Sequence, residues 1–348
     1  MIGTVKRFVS TCLCLLTTLS MDCAQKPSPL SIDWGLIAIA ASIVKIPRFV
    51  FVTSNTGNVY VYSINPFVCS LNPLSPMWEP ASPGIPAIDS TGQFLFVPGS
   101  VANQIASYRI NTTTGVLTQV GSVSTTSPTA LAYDPAVGQV LSVSTGSSLI
   151  SRFALMPDGS LTSAGSVAMP APASGNIAID TGSRIAFVPH GISLFSAASL
   201  AAGVASSSSA PAVATSAALN GGYLYVGGST TILTYRLNGT NTPGFVSTTP
   251  SAGTLTSLAA DSQGANLYGA DATGVLNRYA IQNGGTLLLN SQSLFGPSAN
   301  SIAVDPTGTC VVMSGGSNVR AFRTSSAGLT LFAAGFVSNP NAVLIASY

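Results

Sequence analysis

Short apolar runs alternate with clusters of Gly, Asp, Asn, Ser and Pro along nearly the whole chain. Runs of about four to eight residues between such breakers predict β-strands, and the helix formers Glu and Lys are nearly missing. One pattern recurs. An apolar stretch ends in a turn at Asp89, Asp134, Asp180, Asn220, Asp261 and Asp305, each about 40–46 residues beyond the last. A second strand follows each turn (QFLFV, QVLSV, RIAFV, YLYVG, NLYGA, TCVVM). A third then carries an aromatic at a fixed place: Tyr62, Tyr108, Phe153, Phe195, Tyr235, Tyr279 and Phe322. A fourth closes most units, as in GVLTQVGSV at 115–123 and GLTLFAAGF at 328–336. Four strands per unit of this length predict propeller blades, and seven aromatics predict seven of them.

The first unit opens at RFVFV (48–52), which matches the second strand of the other units, whereas the last residues, NPNAVLIAS (339–347), match the first. The expected fold is therefore all-β: a seven-bladed β-propeller of four-stranded blades over 48–348. Its ring is closed by the C-terminal strand joining the N-terminal blade, which removes an open seam. A rival reading makes 36–42 the inner strand of blade one. The outer strand of blade four, within SLAAGVASSSSAPAV (199–213), is expected to be poor.

Composition sharpens this picture. The chain of 348 residues has 12 Lys+Arg and 10 Asp+Glu, 6% charged, against about 25% in ordinary globular chains. There is no basic surface to track a phosphate backbone, so nucleic-acid binding is excluded. The repeat accounts for the low charge, because blades packed face to face bury their strands on both sides. The arginines flanking the repeated aromatic (Arg109, Arg152, Arg236, Arg278, Arg320, Arg323) and the turn aspartates read as structural, since a ring of repeated residues is what a repeat produces.

Residues 1–23 read as a signal peptide: Lys6 and Arg7, then an apolar run too short to span a bilayer. Two readings of its end stand side by side, plain cleavage near Ser20 and a lipoprotein signal with the lipid on Cys23; Asp22 stands where a small residue normally precedes such a cysteine. Residues 24–47 form a lead-in with an apolar stretch at 36–44, again too short for a transmembrane span. The expected location is secreted, periplasmic or at the cell envelope. Cys23, Cys69 and Cys310 are left after cleavage, an odd set without metal spacing, so Cys310 is expected as a buried free thiol and no metal or other cofactor is expected.

Candidate chemistry is thin. Ligands of a propeller approach the face built from the loops joining strand two to three and strand four to the next strand one. On that face His190, the one histidine, is a candidate general base; its bland reading is a surface turn residue between Pro189 and Gly191. Trp78 and Glu79 lie in a long insertion and suggest a stacking platform or an acid; their bland reading is a plug over the channel mouth. Asp271 suggests a ligand, against an ordinary turn aspartate. The Gly-rich pieces precede strands and are not phosphate loops.

The motifs IAVDPTG, SNVRAFR, SPTALAYDP and ASYRINTTTGVLTQVGSV resemble the lactonase-type seven-bladed β-propeller family, which includes 6-phosphogluconolactonase-like enzymes. The resemblance covers about residues 48–348 and implies the fold; its motifs are strands and turns, so it implies activity weakly. The family's enzymes are understood to place His, Arg and acidic residues at the channel top. This chain has one histidine and lacks a Pro-His-x-His segment, so no catalytic set transfers. Two functions are open: a non-catalytic scaffold binding an unknown protein, carbohydrate or small molecule on the loop face, and a lactone hydrolase using His190 or Glu79.

Overall fold

A strand of about five residues cannot bury both its faces alone, so these strands pair into twisted sheets and the sheets stack. The computed structural model describes residues 47–74, 77–78, 82–296 and 298–347. The signal-peptide, Cys23 and 36–44 readings, and Glu79, lie outside those residues. Among the described residues there is no helix, and the strands form seven antiparallel sheets in a ring.

Blade one joins the two ends of the domain. Its inner strand is Pro340–Ser347, paired with Pro47–Ser54 at Phe51–Leu344 and Val52–Val343. Asn58–Asn65 comes next, and the outer strand is split into Ser70–Pro73 and Met77–Trp78. The expected closure by the C-terminal strand is borne out. Blades two to seven each run from inner to outer strand in chain order, for example Ala130–Asp134, Gln139–Ser144, Ser147–Leu155 and Leu161–Ala168 in blade three.

The seven repeated aromatics are all buried between blades. In blades two, three, five, six and seven the register between third and outer strand slips beside that aromatic, as at Ser107/Tyr108 and Ala321/Phe322. Such bulges bend the outer strand and add twist. Blade four corrects the expectation. Val204–Ser209 pairs along its whole length, from Ser199–Val204 to Leu194–Ser209, without a slip. Backbone pairing makes that strand, and its serine hydroxyls suit a position half open to water.

Inner strands are also linked from blade to blade. Ser216, Ser257 and Ser301 each sit four residues before the turn Asn or Asp. Each accepts a hydrogen bond from a backbone N–H of the next blade, at Leu258 (2.8 Å), Ile302 (3.3 Å) and Val343 (3.2 Å). Asn176 makes the same link in both directions, accepting from Ala217 N–H at 2.8 Å and donating to Ala217 O at 2.7 Å.

Cys310 is not a free thiol. It forms a disulfide with Cys69, with Cα atoms 5.6 Å apart across 241 residues of sequence. Cys310 opens the second strand of blade seven and Cys69 sits in the turn before the outer strand of blade one. Both are fully buried in the apolar cluster that joins these blades, with Val50, Tyr62 and Val312. The covalent bond therefore spans the same seam that the C-terminal strand closes.

Candidate functional site

The central channel opens at two mouths. On the loop face, a hollow of about 200 Å³ is formed by blades one to four. Asn55, Ser100 and Thr145 come from loops joining strand two to three; Ser82, Thr129 and Ser174 come from loops leading into inner strands. Gly84 is required there, because a Cβ would run into the carbonyl of Thr129, to which Ile85 N–H donates at 2.9 Å. Several of the lining side chains are already tied to backbone carbonyls: Ser174 Oγ to Ala214 (2.7 Å), Ser100 Oγ to Ser82 (3.1 Å) and Asn341 Nδ2 to Pro83 (2.6 Å). The described lining holds uncharged donors and acceptors and no titratable group. A hydroxyl with no adjacent base is a weak nucleophile at neutral pH.

At the opposite mouth the repeated turns surround a wider hollow of about 470 Å³ that reaches residues of blades one to four and seven. It was not among the sites expected from sequence. The signal for it was present, since every turn aspartate precedes a second strand and all such turns fall at one end of the ring.

His190 is 7% exposed and lies inside blade four, which corrects the surface reading. The peptide from Pro172 folds over it: Nδ1–H donates to Pro172 O at 2.9 Å, and Nε2 accepts from Ser196 Oγ at 2.6 Å. Burial pushes its pKa below the ordinary 6.5, against the opposing pull of the Pro172 hydrogen bond. The pair has the hydroxyl–imidazole contact of a hydrolase. However, Ser196 is fully buried, and a carbonyl stands where a carboxylate would orient the ring. Among the described residues, neither an acid nor an arginine bonds to this imidazole.

Asp271 is 1% exposed and closes its own turn. Its Oδ1 accepts from Thr273 N (2.9 Å), Thr273 Oγ1 (2.7 Å) and Val275 N (3.0 Å). Trp78 lies on the outer strand of blade one, paired with Asn58, rather than in a loop over the channel. The structure does not bring His190, Asp271 and Trp78 together; they belong to blades four, six and one. No group of three or more metal-ligating side chains occurs among the described residues.

The structural reading of the repeated charges holds wherever they have partners. Arg109 lies over the Phe94 ring at 4.9 Å and donates to Asp158 O of the next blade. Arg152 donates to Leu200 O (3.0 Å) and Arg278 to Asn266 (2.8 Å) and Ser325 O (2.6 Å). Arg320 binds Phe295 O and lies over its ring. Asp89 and Asp305 cap the second strands through Phe94 N–H (2.7 Å) and Cys310 N–H (2.8 Å). Arg184, not singled out from sequence, pairs with Asp134 of blade three at 3.1 Å.

Strand order and ring closure together define a seven-bladed β-propeller. Residues 49–177 match the family described as lactonase, 7-bladed beta-propeller, which bears out the resemblance read from the repeat motifs. No curated protein matches the chain in sequence. Among solved structures, the periplasmic gluconolactonase of Pseudomonas aeruginosa is similar with TM-score 0.75 at 16% identity, covering 86% of this chain and 99% of that one. A candidate 6-phosphogluconolactonase of Bacteroides fragilis gives 0.75 at 13%, covering 87% and 99%. The hydrazine synthase of Kuenenia stuttgartiensis gives 0.62 at 12%, covering 82% and 97%. Identities this low carry the fold alone.

Proposed function

We propose that the protein is an extracytoplasmic, non-catalytic binding propeller whose loop face takes an uncharged, hydroxyl-rich ligand such as a neutral carbohydrate. The observation that carries this reading is the loop-face hollow, lined by Asn, Ser and Thr from four blades without a titratable side chain among the described residues. Such a surface matches a polyol through hydrogen bonds and gives a phosphorylated sugar no counter-charge. The location is supported by the signal-like residues 1–23 and by the Cys69–Cys310 disulfide, a bond that forms in oxidising compartments. Lipid attachment at Cys23 would place the propeller at a membrane surface and leaves the binding reading unchanged.

Lactone hydrolysis is the second reading, favoured by the family match over residues 49–177. It needs an acid or base at the mouth, and Glu79, the one glutamate of the chain, is the group to test. The deciding experiment follows glucono-lactone and its 6-phosphate with purified protein by pH-stat, alongside calorimetric titration with neutral monosaccharides. The binding reading expects no turnover above spontaneous hydrolysis, and sugar binding that is lost in Thr145→Trp. Turnover abolished by Glu79→Gln would overturn it.

A further inference from the structure

The hollow at the opposite mouth differs in chemistry from the loop-face hollow, and the two share no residue. Its walls are hydrocarbon: Ile88, Leu131, Leu344 and Ile345, with the rings of Pro86 and Pro306. Its polar groups are hydroxyls, from Ser90, Tyr133 and Thr181. Asp89 is the one carboxylate of the described lining, and its turn occupies both oxygens. Oδ1 accepts from Phe94 N–H at 2.7 Å; Oδ2 accepts from Thr91 N–H at 3.0 Å and from the Thr91 hydroxyl. Arg184, the cation nearest Thr181 in sequence, is held by Asp134. The Tyr133 phenol is pushed up by burial, against its hydrogen bond to Ser90, with Asp89 and Asp134 adding to the rise. It is therefore neutral at physiological pH.

We propose that this mouth binds a small uncharged amphiphile, its hydrocarbon or aromatic body lodged between the inner strands and a single hydroxyl or carbonyl at Tyr133. The volume of about 470 Å³ lies within the roughly 300–1,000 Å³ of small-molecule sites. The walls reward apolar surface. A charged ligand would lose its hydration without gaining a counter-charge, since the carboxylate and the guanidinium are already committed.

The test is calorimetric titration of the full chain with 1-naphthol, an uncharged aromatic body with one hydroxyl. The expected result is one saturable site per chain. Ala132→Phe fills the hollow and Leu344→Gln makes its wall polar; each weakens binding about tenfold or more. Tyr133→Phe weakens it roughly threefold to tenfold, the loss of one neutral hydrogen bond. Thr145→Trp, at the loop face, leaves it unchanged, so this site and the loop-face reading fail independently. Absence of saturable binding overturns the proposal, as does binding that ignores both Ala132→Phe and Leu344→Gln. Binding lost instead in Leu294→Ser with Phe336→Ser would assign the probe to the exposed outer edges of blades six and seven, where these residues are 69% and 68% exposed. A Tyr133→Phe protein that binds as tightly as the original overturns the head-group assignment.

Discussion

At the scale of single residues, His190 is the clearest reporter. Its folded pKa lies below the ordinary 6.5, chiefly because burial disfavours the imidazolium. The unfolded chain therefore binds the proton more readily. Stability is full above about 6.5 and is lost as pH falls through that value towards the folded pKa. The chain has one histidine, so this dependence has a single source in that interval. His190→Gln keeps a hydrogen-bonding side chain and is expected to flatten the loss of stability between pH 7.5 and 5, read by denaturant unfolding at the two pH values. A variant as pH-sensitive as the original would mean that another group titrates there. The burial itself was not legible locally. Pro189-His190-Gly191 has the composition of an exposed turn, and the ring is enclosed by residues beyond that turn, with Pro172 O on one nitrogen and Ser196 on the other. Asp271 was legible, because a turn aspartate bonds the backbone two residues on, and it does so at Thr273.

At the scale of strands and turns, neighbouring blades are fastened by a glycine set against an aromatic. Gly159, in the last turn of blade three, has φ +94° and packs on the Phe94 ring of blade two, while Arg109 covers that ring. Gly115 against Phe49 and Gly285 against Tyr223 repeat the arrangement. Gly203 has a similar φ of +71°, yet a Cβ there would meet nothing within 4 Å. Gly203→Ala is therefore expected to cost about 1 kcal/mol of backbone strain. Gly159→Ala adds a clash with the ring and is expected to cost about 2–4 kcal/mol. Equal losses in thermal unfolding would mean that the contact contributes nothing. The repeat made the strands and their count legible, because period and turn chemistry are local. The outer strand of blade four looked weak because its serines have low strand propensity; pairing with Leu194–Ser199 overrides propensity. The amphiphile-sized hollow was legible only in part. The repeated turns mark one end of the ring, but its walls come from five blades, and no local pattern reports the space left between them.

At the scale of the whole molecule, two devices hold the seam between blades seven and one: the inner strand Pro340–Ser347 and the Cys69–Cys310 bond. The closure was legible from matching the chain ends to different places in one repeat. The disulfide was not, because an odd set of cysteines gives no pairing and 241 residues separate the partners. Cross-linking so long a loop restricts the unfolded chain, and loss of the bond in Cys69→Ala with Cys310→Ala is expected to cost about 3–5 kcal/mol. For a domain of this size that lowers the unfolding temperature by roughly 10 °C, measurable by scanning calorimetry. An unchanged transition would show that strand pairing alone secures the seam.

The shared blade also sets a timetable for the nascent chain. Emerging N-terminus first, Pro47–Ser54 comes out early, but the strand that covers its inner edge is the last of the described strands to appear. At about 5–20 residues per second the wait is on the order of 15–60 s. Blades two to seven can each complete as they emerge, whereas blade one keeps a bare edge until Pro340–Ser347 has followed all six of them. The first blade to be started is thus the last to be finished, and a chain cut short before Pro340 would leave that edge open to pairing with another molecule.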